Sequence, residues 1–145
     1  MLRLARKKLP GIRLHQQDMS SFQLDDRFDS VIIPYDSINH LRRFSDWIRT
    51  FRRAKRHLNG GGLLVFDVNT PHRLRELVRA GSSYKEFNGS HMIMTVRDAG
   101  RGVTDWHIRI FERIEDNRFG LHEQTIQEVG FDHARVMAAL RMLFF

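Results

Sequence analysis

Two short apolar runs, FDSVII over residues 28–33 and LLVFDV over 63–68, stand on either side of a stretch with the period of a helix. Leu41, Phe44, Ile48, Phe51, Ala54 and Leu58 recur at spacings of three and four. Arg42, Arg43, Arg49, Arg52, Arg53, Lys55 and Arg56 fall mostly outside that stripe. The spacing predicts one helix over 37–58, stopped by a glycine turn, NGGG, at 59–62. A helix between two strands constrains this chain more than any other feature. It is too long for a hairpin loop, so it must carry the chain back over the sheet and set the strands parallel. The all-apolar second run fits a strand covered on both faces.

The flanking segments extend the pattern. Leu2, Ala5 and Leu9 predict a helix over 1–9, broken by Pro10 and Gly11. Ile12, Leu14 and Gln16 share one face of a short strand over 12–17. The order becomes α-β-loop-β-α-β, an α/β chain with helices on a parallel sheet. Thr70 and Pro71 mark the start of a helix over 71–79, as N-cap and first helical residue. Alternating segments at 91–97 and 103–114 around a glycine-containing turn predict an antiparallel hairpin. Val136, Ala139, Leu140 and Leu143 predict a helix over 132–143.

The chain has 145 residues, enough for one domain with a core, and a formal net charge of +7. That charge raises nucleic acid or an anionic surface as a partner class, although the basic residues are spread along the chain. No cysteine is present, so disulfides and thiolate metal sites are excluded, which fits a cytoplasmic location. No apolar run is long enough to cross a bilayer, and the basic start MLRLARKKLP lacks the apolar length of a signal peptide. The histidines show no HExxH motif, so no metal site is expected. Trp47 and Trp106 are expected to pack.

The polar residues are not spread evenly. The three predicted strands end in QQDM (16–19), PYDSIN (34–39) and DVNT (67–70). Ligands bind beyond the carboxyl ends of strands in open parallel sheets, so three polar ends on one edge mark a cleft. A single such turn would be a helix cap, a role open to Asp36 or Ser37.

Taken in order, four segments resemble a class I S-adenosylmethionine-dependent methyltransferase of the small-molecule type. MLRLARKKLPGIRLHQQDM is similar to the helix and strand that follow that family's ribose-binding acid. DRFDSVIIPYDSINHL resembles its fourth strand and substrate-facing loop, and AKRHLNGGGLLVFDVNT its glycine turn and fifth strand. LHEQTIQEVGFDHARVMAALR is similar to the late segment in which a helix precedes a final hairpin. The resemblance implies a Rossmann-like fold, truncated, with an antiparallel hairpin insertion near 91–114. It divides the chain into an α/β core over 1–80 and a hairpin with a C-terminal helix over 81–145. The family's glycine-rich loop and ribose-binding acid have no counterpart here. NGGG follows a helix and precedes a strand, the reverse of that loop's order. A fragment that binds cofactor weakly by itself is therefore expected.

The resemblance also implies a site. Asp18 matches the carboxylate that receives the adenine amino group, and Met19 its neighbour lining the adenine pocket. Pro34 and Tyr35 match the strand end near the transferable methyl. Tyr35, Asp36 and Asn39 become the catalytic candidates, and Ser37, Asn39 and His40 the substrate-binding ones. Asp36 and His40 are the candidates for a general base, which only some methyl acceptors need. The expected cofactor is S-adenosyl-L-methionine and the expected partner a small-molecule methyl acceptor, with no membrane. Two other readings stand beside it: a nucleic-acid-binding or RNA/DNA methyltransferase module, suggested by the charge and by IPY at 33–35, and a non-catalytic remnant.

Overall fold

The computed structural model describes residues 2–144. Helix α1 (Leu2–Lys8) leads through a long irregular segment to strand β1 (Phe28–Ile33). A single 3-10 turn (Ser37–His40) precedes helix α2 (Phe44–His57), strand β2 (Leu58–Phe66) and helix α3 (Pro71–Ala80). Strands β3 (Ser82–Phe87), β4 (Ser90–Gly100), β5 (Val103–Glu115) and β6 (Arg118–Val129) follow, then helix α4 (His133–Phe144).

β1 and β2 pair in parallel, with Val31 opposite Leu64 and Ile33 opposite Phe66. The crossover through α2 sets that direction. Val31, Ile33, Leu64 and Phe66 form the inner face and pack with Trp47 and Phe51 of α2 and Val136 and Leu140 of α4. Trp47 is fully buried at the centre, its ring edge-on to Phe51 and Phe131, and its indole N–H donates to Leu41 O. The C-terminal helix thus completes the core of the parallel pair. β3 to β6 form a separate antiparallel sheet in sequence order. α3 lies on it, and Leu74, Val96 and Trp106 make a second core. The Trp106 indole N–H donates to Thr104 Oγ1, so this tryptophan packs as expected. The Thr70 side chain accepts from Arg73 N–H and Pro71 opens α3, also as expected.

Several expectations change. Residues 12–17 form no strand, and β1 pairs with β2 alone among the described residues. Ile12 is exposed and only Leu14 is half-buried, so that segment has little apolar burial to gain by pairing. The helix over 37–58 is broken: Leu41 is extended, and α2 starts at Phe44. The glycines at 59–62 are not a helix stop. They lie within β2, where a register shift between Phe28 and Ser30 and the left-handed Gly61 absorb the irregularity. β2 is covered on one face only; Ile32, Leu63 and Val65 remain half or more exposed on the other. The expected hairpin is the middle of four strands: β3 and β6 flank it, and residues 118–129 are strand. No helix of the described residues is long and apolar enough to cross a membrane.

Candidate functional site at the carboxyl end of the parallel strands

β1 runs out at Pro34 into a strained turn. Tyr35 and Asp36 both adopt left-handed backbone, with φ of 57° and 45°. For side-chain-bearing residues that conformation costs roughly 1–2 kcal/mol each, and it persists only where the surroundings hold it. Here they do. The Asp36 N–H donates to Asp67 Oδ2 at 3.0 Å, and Asn69 Nδ2 donates to Asp36 Oδ2 at 2.7 Å. The Ser37 hydroxyl donates to Pro34 O at 2.5 Å, and the Asn39 N–H donates to Asp36 O at 2.7 Å. The Asp36 side chain does not cap the 3-10 turn. Tyr35 projects from this turn almost fully exposed, at 86%.

Asn39 explains how the turn is anchored. It is fully buried, and its Nδ2 donates to both Asn69 O at 2.8 Å and Val129 O at 2.9 Å. Its Oδ1 accepts from Asn69 N–H at 3.0 Å. One side chain therefore ties the turn after β1 to the end of β2 and the end of β6. Beside it Gly130 lets the chains touch: a Cβ there would stand 2.8 Å from Asn69 O and 2.8 Å from Pro71 N. Only glycine fits.

This junction brings in a residue that no motif points to. Glu128, the penultimate residue of β6, is 1% exposed. Asn69 Nδ2 donates to its Oε2 at 2.9 Å, the same amide that binds Asp36. Side-chain atoms of Asp36, His40 and Glu128 lie within 4.8 Å of one another. Burial pushes the Glu128 carboxyl up to about 7; the Asn69 hydrogen bond offsets part of that, and the Asp36 charge adds to it. His40 is exposed and its Nδ1 stands 3.4 Å from Gln127 O.

A second feature lies along the other edge of β1. Met19, Phe22 and Leu24 face Val31, Ile33, Pro34 and Ser37 across an open cleft of about 370 Å³, with His15 and Gln17 at its mouth. Asp18 is exposed beside it. The Ser20 hydroxyl and backbone N–H both donate to Asp18 Oδ1, at 2.6 and 2.8 Å. The Ser20 hydroxyl is the larger cause that holds this carboxyl below its ordinary value. No hydrogen bond among the described residues falls on Oδ2.

Residues 1–66 match the family model of a methyltransferase domain. A Bacillus subtilis (strain 168) protein named as a methyltransferase, YqeM, is 29% identical over 158 aligned residues, covering 95% of this chain and 63% of that protein. The dTDP-3-amino-3,4,6-trideoxy-alpha-D-glucopyranose N,N-dimethyltransferase of Streptomyces venezuelae is 30% identical over 79% of this chain and 57% of its own length. The S-adenosylmethionine-bound structure of CalS10, an amino pentose methyltransferase from Micromonospora echinaspora, superposes with a TM-score of 0.74 at 25% identity, over 98% of this chain and 60% of that one. The methyltransferase-domain match and these relatives support a class I S-adenosylmethionine-dependent methyltransferase. This chain spans about three fifths of their length.

The expected methyltransferase site residues fall into two groups. Met19, Pro34 and Ser37 line the cleft, and Asp18 and Tyr35 are their chain neighbours. Asp36, Asn39 and His40 do not line it and make their contacts at the junction with β6. The expected convergence of three strand ends becomes a convergence of two, after β1 and β2, with β6 as the third contributor in place of residues 16–19. Asp67, Asn69 and Glu128 were not singled out by the sequence. The first two lie in the polar stretch DVNT. Glu128 carries no local signal, because it arrives through a pairing 90 residues away from Asn39.

Proposed function

We propose that this chain supplies the adenine-side and acceptor-side halves of a site for methyl transfer from S-adenosylmethionine to a small-molecule acceptor. The observation that carries this reading is the cleft along β1, lined at its carboxyl end by Pro34 and Ser37, which flank the strained Tyr35–Asp36 turn. Its residues fit the cofactor. Met19, Phe22 and Ile33 offer apolar walls to a flat base, and Asp18 offers an ionised oxygen, Oδ2, to an amino group. Pro34 and Tyr35 stand at the carboxyl end of the strand, where the sulfonium end of the cofactor would reach. The cofactor would supply a methyl group that the acceptor attacks in line while the sulfur leaves as the thioether of S-adenosylhomocysteine, so the protein contributes mainly alignment. The held turn provides it. Asp36 and Ser37 are fixed by five hydrogen bonds, and Asn39 anchors them by three more. Asn39 thus acts as a positioning residue. The relative named as an amino-sugar N,N-dimethyltransferase and the structure named as an amino pentose methyltransferase support a sugar-like amine as the acceptor.

Asp18→Ala is expected to weaken S-adenosylmethionine binding about tenfold, the worth of one charge-assisted hydrogen bond. Calorimetric titration measures it. Unchanged affinity would remove Asp18 from the cofactor site, and no binding by the unsubstituted protein would remove the methyltransferase reading itself.

A further inference from the structure

We propose that Glu128 is the buried counter-charge of the methyl-acceptor pocket, a positioning residue that ionises when a cationic amine settles beside Asp36. This rests on the methyl-transfer reading above and names a residue and a substrate class for it.

The geometry carries the proposal. Glu128 is buried at a junction of three chain segments, and the Asn69 amide joins its carboxylate to that of Asp36. A fully buried carboxyl is normally paired with a cation, because an isolated charge loses its hydration. Among the described residues Glu128 forms no salt bridge. The charged groups around it are Asp36 and His40 on the 3-10 turn, with Asp67 at the end of β2; Arg42 and Asp105 are engaged one residue away by Gln127. Two carboxyls and one imidazole within 4.8 Å leave a place where one small cation feels all three.

The cluster therefore has two charge states. Without ligand, burial and the Asp36 charge keep Glu128 protonated up to about pH 7, and the Asn69 amide still holds Oε2. An ammonium group beside Asp36 favours the carboxylate and lowers that midpoint. A hydroxyl in the same place brings no charge and does not. The cluster thus selects an amine over its neutral analogue, because a charged partner changes the protonation of Glu128 and a neutral one leaves it alone. Glu128 does not touch the reacting atoms. It acts through Asn69 and Asp36, on the turn that bears Tyr35.

The test is a carbon-13 NMR titration of the 145-residue chain labelled at glutamate carboxyls, with Glu128→Gln to assign the resonance. Glucosamine is the cationic probe and glucose the neutral one. The expected result is one carboxyl titrating near 7, absent from Glu128→Gln, whose midpoint falls by about one pH unit or more with glucosamine and stays with glucose. A midpoint that glucosamine leaves in place, or that both sugars move equally, overturns the proposal. So does an elevated carboxyl that survives Glu128→Gln. S-Adenosylmethionine binding is read separately by calorimetry: its absence counts against methyl transfer, whereas the carboxyl response counts for or against Glu128 alone.

Discussion

Asn39 is where a single side chain decides most. Its amide makes three hydrogen bonds to backbone groups of Asn69 and Val129, all out of water. Truncation leaves those groups unpaired and opens a void. We expect Asn39→Ala to cost about 2–4 kcal/mol of stability, measured by urea denaturation. A loss under about 1 kcal/mol contradicts the clamp. Glu128 gives the residue-scale pH dependence. Its folded value, about 7, lies above the ordinary 4.5, so the folded state holds the proton more tightly. The stabilisation from this group is fully present below pH 4.5 and is lost as pH rises through 7. Relative to Glu128→Gln, the unsubstituted chain should lose up to about 3 kcal/mol over that window. Parallel stability curves for the two proteins across the window would show that Glu128 titrates at its ordinary value.

At the scale of elements, the parallel pair is asymmetric. Its inner face is filled by α2 and α4, whereas Ile32, Leu63 and Val65 stand exposed on the outer face, and the other edge of β1 is unpaired among the described residues. An unpaired edge beside an apolar face is a template for association. Light scattering at rising concentration should show self-association, and Val65→Lys should reduce it while changing stability by less than about 0.5 kcal/mol, since the site is half exposed. Equal association of the two proteins would show that this face takes no part.

At the scale of the whole molecule, the antiparallel sheet completes the site as well as packing beside it. β6 delivers Glu128 and Val129 to the turn after β1, and the close approach at Gly130 permits it. Gly130→Ala places a methyl group 2.8 Å from two backbone atoms, so the two sheets must part. We expect a loss of about 2 kcal/mol or more, with the Glu128 midpoint returning towards the ordinary carboxyl value as water enters. A destabilised variant that keeps the elevated midpoint would show that burial of Glu128 does not depend on this contact.

What the sequence determined by itself is what local periodicity and chain order carry. The apolar runs at 28–33 and 63–68, with an amphipathic helix between them, required a parallel pair. Thr70 and Pro71 placed the start of α3, and the stripe through Val136 and Leu143 placed α4. The segment PYDSIN was recognisable as a site element because so many polar side chains follow one strand end. Residues 12–17 misled, because alternation shows only that a strand is allowed; pairing needs a neighbour with apolar surface to share. β6 was missed because its polar residues, Glu123, Gln124 and Gln127, alternate weakly and find their partners only across β5. Glu128 was beyond reach for a related reason. Its burial, its link to Asn69 and its nearness to Asp36 are all contacts between distant parts of the chain. Only the tertiary structure, by laying β6 against the ends of β1 and β2, turns an ordinary glutamate into a buried one.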